Sequence, residues 1–107
     1  MSSDERTLTQ DVVFDILSSA RRRYVLYVLR TEGAMELTKL AEHVAAWEND
    51  KTIEELTKQQ RKRVYVSLYQ THVPKLAEAG LVDYDQDSGR VALASRADDV
   101  DQYLTPE

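Results

Sequence analysis

The stretch Thr57-Lys58-Gln59-Gln60-Arg61-Lys62-Arg63-Val64-Tyr65-Val66-Ser67-Leu68-Tyr69-Gln70-Thr71-His72-Val73-Pro74-Lys75-Leu76-Ala77-Glu78-Ala79-Gly80-Leu81-Val82 decides the fold. Within it Tyr65, Leu68, Tyr69, His72, Val73 and Leu76 recur at i, i+3, i+4, i+7, i+8 and i+11, which predicts one long helix with a core-facing stripe. Thr57 with Gln60 three residues on is a capping-box pattern that satisfies two orphan backbone donors at the helix start. The opposite face carries Gln60, Arg63, Ser67, Gln70, Thr71 and Pro74. Proline brings no backbone donor, so a kink or restart is expected between Gln70 and Pro74. Gly80 ends the helix.

Working outward, residues 81–84 and 90–93 alternate as two short strands, and Asp85-Gln86-Asp87-Ser88-Gly89 joins them as a hairpin turn. Met35 and its neighbours can add a third short strand. Ser95 is placed to cap a terminal helix bearing Val100, Tyr103 and Leu104. Upstream, residues 38–49 read as a helix burying Leu40, Ala41, Val44 and Trp47, with Leu37 just ahead. A connector follows in which Ile53 and Leu56 are tucked down. Residues 20–30 read as a helix capped by Ser18 or Ser19, with Tyr24, Val25, Val28 and Leu29 inward and Gly33 as its stop. The first helix, over residues 8–17, turns Val12, Val13, Ile16 and Leu17 inward and leaves Phe14 off the stripe. The fold class expected is mainly α with a small β-hairpin (α+β), one domain over residues 8–104, with 1–7 and 105–107 as disordered ends.

Composition narrows the function classes. A chain of 107 residues has room for one core, and 42% apolar with 31% charged residues is a globular balance. The longest apolar run, Tyr24-Val25-Leu26-Tyr27-Val28-Leu29, falls far short of the ~20 residues a membrane span needs. The start, Met1-Ser2-Ser3-Asp4-Glu5-Arg6, lacks the basic and apolar regions of a signal peptide. Without cysteine there are no disulfides and no thiolate sites. His43 and His72 cannot alone supply the usual four ligands of zinc. No Gly-rich phosphate loop, Gly-x-Ser-x-Gly or evident carboxylate pair supports catalysis. The expectation is a cytoplasmic, non-enzymatic protein with no cofactor, no metal, no membrane association and no evident small-molecule effector.

Charge is uneven. The net value is −5, yet residues 20–30 hold four arginines and residues 56–77 five basic residues, both without an acid, which leaves −14 for the remainder. Two basic islands in an acidic chain suggest attraction of a polyanion by selected faces. An acidic chain with nine Arg against five Lys also has the composition of proteins from salt-loving microbes.

Helix, helix, helix, long helix, hairpin, helix is the order of a winged helix-turn-helix, and specific residues carry the resemblance. Leu37-Thr38-Lys39-Leu40-Ala41-Glu42-His43-Val44-Ala45 resembles the first helix of the motif, where small Ala41 permits a close crossing. His72-Val73-Pro74-Lys75-Leu76-Ala77-Glu78-Ala79-Gly80-Leu81-Val82 resembles the end of the recognition helix in small bacterial and archaeal repressors. More closely, Arg21-Arg22-Arg23 after Ser18-Ser19, Leu68-Tyr69 with His72-Val73-Pro74-Lys75-Leu76, and Gly80-Leu81-Val82-Asp83-Tyr84 are similar to a haloarchaeal family of small winged-helix domains of unknown function. The resemblance covers about residues 20–93. One departure is the connector at residues 49–57, longer than a tight turn.

The resemblance implies a DNA-binding transcriptional regulator whose fourth helix reads double-stranded DNA, because an α-helix fits the major groove. Gln60, Arg63, Ser67, Gln70 and Thr71 are then the base-contact candidates. Lys58, Arg61 and Lys62, with Arg90 of the wing, are the phosphate candidates. Asp83, Asp85 and Asp87 make the wing acidic, so it is expected to stay off DNA or to touch a protein. Arg21-Arg22-Arg23 has two readings: a second anion site at a helix N-terminus, or partners of nearby acids such as Asp15 or Glu32. His72, on the apolar stripe, reads as a satisfied core histidine. A homodimer is expected through Phe14, Val100, Tyr103 and Leu104, since two half-sites multiply specificity. The alternative function is a winged-helix protein-interaction module without sequence-specific DNA binding.

Overall fold

Three of the α-helices begin where a side chain replaces a missing backbone partner. A computed structural model of the chain describes residues 9–101. Helix α1 (Gln10–Leu17) starts at Thr9, whose hydroxyl accepts from the Val12 N–H. Helix α2 (Ala20–Glu32) starts at Ser19, which accepts from the Arg22 N–H. Strand β1 (Met35–Glu36) leads directly into α3 (Leu37–Asn49), which ends at Asp50 in the left-handed conformation with φ 53°. The connector contains a 3₁₀ turn (Ile53–Glu55) closed by Thr52 and Glu55. Helix α4 (Lys58–Ser67) carries the expected capping box: Thr57 Oγ1 accepts from Gln60 N–H at 3.1 Å, and Gln60 Oε1 accepts from Thr57 N–H at 3.0 Å.

The expected interruption before Pro74 takes the form of a π-turn over Leu68–His72, after which α5 (Val73–Glu78) continues. The N–H of Val73 reaches back to the Leu68 carbonyl, so one extra residue is accommodated just ahead of a proline that cannot donate. This extra residue changes the phase of the buried stripe. The buried positions are Val64, Leu68, Val73 and Leu76, with a step of five across the π-turn. Tyr69, expected inside, is therefore exposed, Tyr65 and His72 are half-buried, and Val64 is buried in their place.

Strands β2 (Val82–Asp85) and β3 (Arg90–Leu93) form the hairpin, and β1 pairs antiparallel with β3 in the order β1-β3-β2. Gly89, at φ +78°, closes the turn with its N–H on the Asp85 carbonyl, and its own carbonyl accepts from the Leu37 N–H. That bond ties the hairpin to the start of α3. The result is α+β, mainly helical with a small three-stranded sheet, in a winged-helix-like arrangement.

One apolar core joins all the helices to the sheet, built on Ile16, Val25, Leu26, Leu40, Val44, Leu68, Leu76, Leu81 and Val91. Three inward expectations and one outward one change. Val12 is exposed, because α1 turns Val13, Ile16 and Leu17 inward instead. Leu26 takes the buried place expected of Tyr24. Trp47 is 45% exposed; it lies flat on Tyr24, ring centroids 4.4 Å apart, and not in the core. Val100 is fully buried in the domain's own core, at the end of a 3₁₀ helix (Ser95–Val100) whose N-cap is Ala94 and not Ser95. It is thus unavailable to a second subunit. Leu8, Tyr103, Leu104 and the expected disordered ends lie outside the described residues.

Candidate nucleic-acid interface

The capping box sets the axis of α4, and two tethers hold that axis on α3 and the connector. Arg61 donates to Glu42 Oε2 on α3 and to the Ile53 carbonyl at 2.9 Å. Gln60, besides closing the cap, donates to Asn49 Oδ1 at 3.2 Å and accepts from Lys51 Nζ at 3.3 Å. The long connector is thereby fixed to the helix it feeds. Both side chains are engaged in this work, which leaves Gln60 less free for the expected base contact and Arg61 for the phosphate contact.

What remains outward on α4 is a cationic face. Lys58, Lys62 and Arg63 are exposed and make no hydrogen bond or ion pair among the described residues. With Gln59 and Val66 they line one shallow, open depression. Sequence reasoning passed over Gln59 and Val66, although Gln59, Lys62 and Val66 at i, i+3 and i+7 already share a helix face. Gln70 and Thr71 are exposed on the π-turn, whereas Ser67 is half-buried. Tyr65 and Tyr69 stack with centroids 6.1 Å apart at the C-terminal end of this region. Tyr84 of β2 is close to both: its phenol pKa is raised by burial and, secondarily, by those two tyrosines.

Elsewhere several cations are occupied, although Lys39 and Arg96 make no ion pair among the described residues. Arg21 forms a two-pronged pair with Glu48, Arg30 meets Asp98 and Asp101, and Lys75 meets Asp15 at 3.1 Å. Arg22 is only 7% exposed. It donates to the carbonyls of Ile16 at 2.7 Å and Asp15 at 3.0 Å, and contacts His72 Nδ1 at 3.2 Å. Arg23 donates to the Leu17 carbonyl. The arginine triplet therefore fastens the end of α1, and α3, to α2. Burial of Arg22 and the pairing of Arg21 with Glu48 favour a structural role for the triplet over the anion site. Arg90 is exposed but stands opposite Glu36 on one side and Asp85 on the other in the sheet register, so local carboxylates compete with any phosphate.

His72, expected as a satisfied core histidine, is satisfied but sits half-buried at the edge of the core. Arginine can only donate, so the contact from Arg22 fixes Nδ1 as an acceptor and the ring as neutral. Burial lowers its pKa from the ordinary 6.5, and the charges of Arg22 and Arg21 lower it further against a smaller opposite effect of Glu48. Among the described residues, no group of three His, Asp or Glu side chains is placed to hold a metal ion, and no helix is long and apolar enough to cross a membrane.

Fold and face together define a winged-helix-like α+β domain with a free cationic helix. The chain belongs to the family described as Domain of unknown function (DUF7344), whose match spans residues 14–92. No curated protein and no solved structure matches it.

Proposed function

We propose that the chain is a cytoplasmic DNA-binding transcriptional regulator, a winged helix of haloarchaeal type, that reads double-stranded DNA with α4. The observation that carries this reading is a cluster of cations on one helix face, unpaired among the described residues. Lys58, Lys62 and Arg63 stand without acidic partners on one exposed helix face, while Arg21, Arg30, Arg61 and Lys75 are neutralised within the fold. A helix presenting this face fits the major groove, where Arg63 and Gln70 can reach base edges and Lys58 and Lys62 the flanking phosphates. The acidic wing, with Asp83, Asp85 and Asp87 exposed, is held off the backbone by repulsion. A twofold partner would double the reading length, and Phe14, 54% exposed on α1, is the remaining described candidate for that contact.

The test is fluorescence anisotropy with duplex DNA over a series of salt concentrations. Lys62→Ala should weaken all sequences alike and reduce the log–log salt slope by about one unit. Arg63→Ala should cost about 1–3 kcal/mol and relax preference at one base pair. If both folded variants bind as the parent does, α4 is not the reading helix. Sedimentation of the full chain addresses the dimer, with Phe14→Asp expected to give a folded monomer.

A further inference from the structure

The cationic face of α4 has an apolar floor. Val66 is 36% exposed and lines the depression otherwise made by Lys58, Gln59, Lys62 and Arg63. It belongs neither to the core cluster nor to the residues packed against it. Valine is also a poorer helix former than the Lys, Gln or Arg around it, so neither burial nor local helix chemistry accounts for it. Apolar surface thus faces outward, one turn beyond Lys62 and three residues beyond Arg63, on the surface argued above to enter the major groove.

The base edges of that groove offer donors and acceptors everywhere and one apolar group, the 5-methyl of thymine. We infer that Val66 is a specificity-determining residue that packs against a thymine methyl in the bound site, an inference resting on the DNA-reading function proposed above. Lys62 and Arg63 on either side hold the helix against phosphate and base edges, so the valine methyls are desolvated on docking. The ligand feature selected is a 5-methylpyrimidine at one fixed position relative to the base pair read by Arg63.

The test uses the full chain and duplexes enriched by it from a random-sequence pool. Each thymine of an enriched duplex is replaced in turn by uracil, which keeps base pairing and the O4 acceptor and lacks only the methyl. One position should lose affinity about fourfold, the equivalent of one buried methyl group. In Val66→Ala that uracil penalty should shrink towards none, whereas Lys62→Ala should bind more weakly and keep the penalty in full. If no thymine is sensitive, or if the penalty persists undiminished in Val66→Ala, the assignment of Val66 is overturned while DNA reading by α4 stands. If the enriched pool binds no better than the starting pool, sequence reading itself fails and the assignment falls with it.

Discussion

Replacing Arg22 by methionine keeps much of the apolar stem and removes the guanidinium that fastens α1 to the rest of the domain. Three contacts go: Nε to the Ile16 carbonyl, Nη2 to the Asp15 carbonyl and Nη1 to His72 Nδ1, at 2.7, 3.0 and 3.2 Å. A hydrogen bond from a charged donor contributes about 1.5–3 kcal/mol net. The Ile16 bond is buried and loses this in full; the other two are only partly buried, and water can replace them in part. The expected loss is about 3 kcal/mol, and for a domain of this size about 12–24 °C in melting temperature. Thermal unfolding followed by circular dichroism reads it directly. The His72 imidazole should respond as well: its pKa rises once Arg22's charge and the hydrogen bond to its neutral form are gone, which a histidine-resolved NMR titration detects. A fall in melting temperature below about 4 °C, or a His72 pKa that stays put, would refute the role given to this arginine.

Parent stability should itself depend on pH through His72. Its folded pKa lies below the ordinary 6.5, so between the two values the unfolded chain binds the extra proton and stability rises with pH. The denaturation midpoint is therefore expected to be full above about pH 6.5 and to decline below it, and His72→Gln should remove that part of the decline. Gly80→Ala places a Cβ 3.1 Å from the Arg96 Cδ at a φ of +79°. A destabilisation of about 1–2 kcal/mol, read as a lowered melting temperature, is expected from the backbone strain and the displaced side chain.

The local chemistry of the chain was legible because it depends on near neighbours. The Thr57–Gln60 box, the Ser19 cap, the 85–89 turn and even the short strand at Met35 all follow from residue types a few positions apart. The apolar stripe was legible at Leu68, Val73 and Leu76 but not at Tyr69, since an α-helical period cannot foresee the extra residue of the π-turn. Trp47 was misplaced because its partner is the ring of Tyr24 on another helix, and stacking satisfies it without burial. The arginine triplet was ambiguous for a related reason. Two of its members end on main-chain carbonyls of α1, which every residue carries and no sequence pattern marks. In the candidate interface, charge identified Lys58, Lys62 and Arg63, but only the packed fold separated them from Arg61, which Glu42 claims.

The π-turn also makes two features of the chain interdependent in its evolution. Deleting one residue between Leu68 and Val73 would leave the buried side chains four, four and three apart, an ordinary α-helical series with the core intact. Pro74 would then sit inside an unbroken helix, at a cost of about 3 kcal/mol or more. Replacing Pro74 alone leaves the surplus residue in place with no proline to accommodate. The shortened helix is sound only when both changes are made, so helix length and proline should be gained or lost as a pair among relatives.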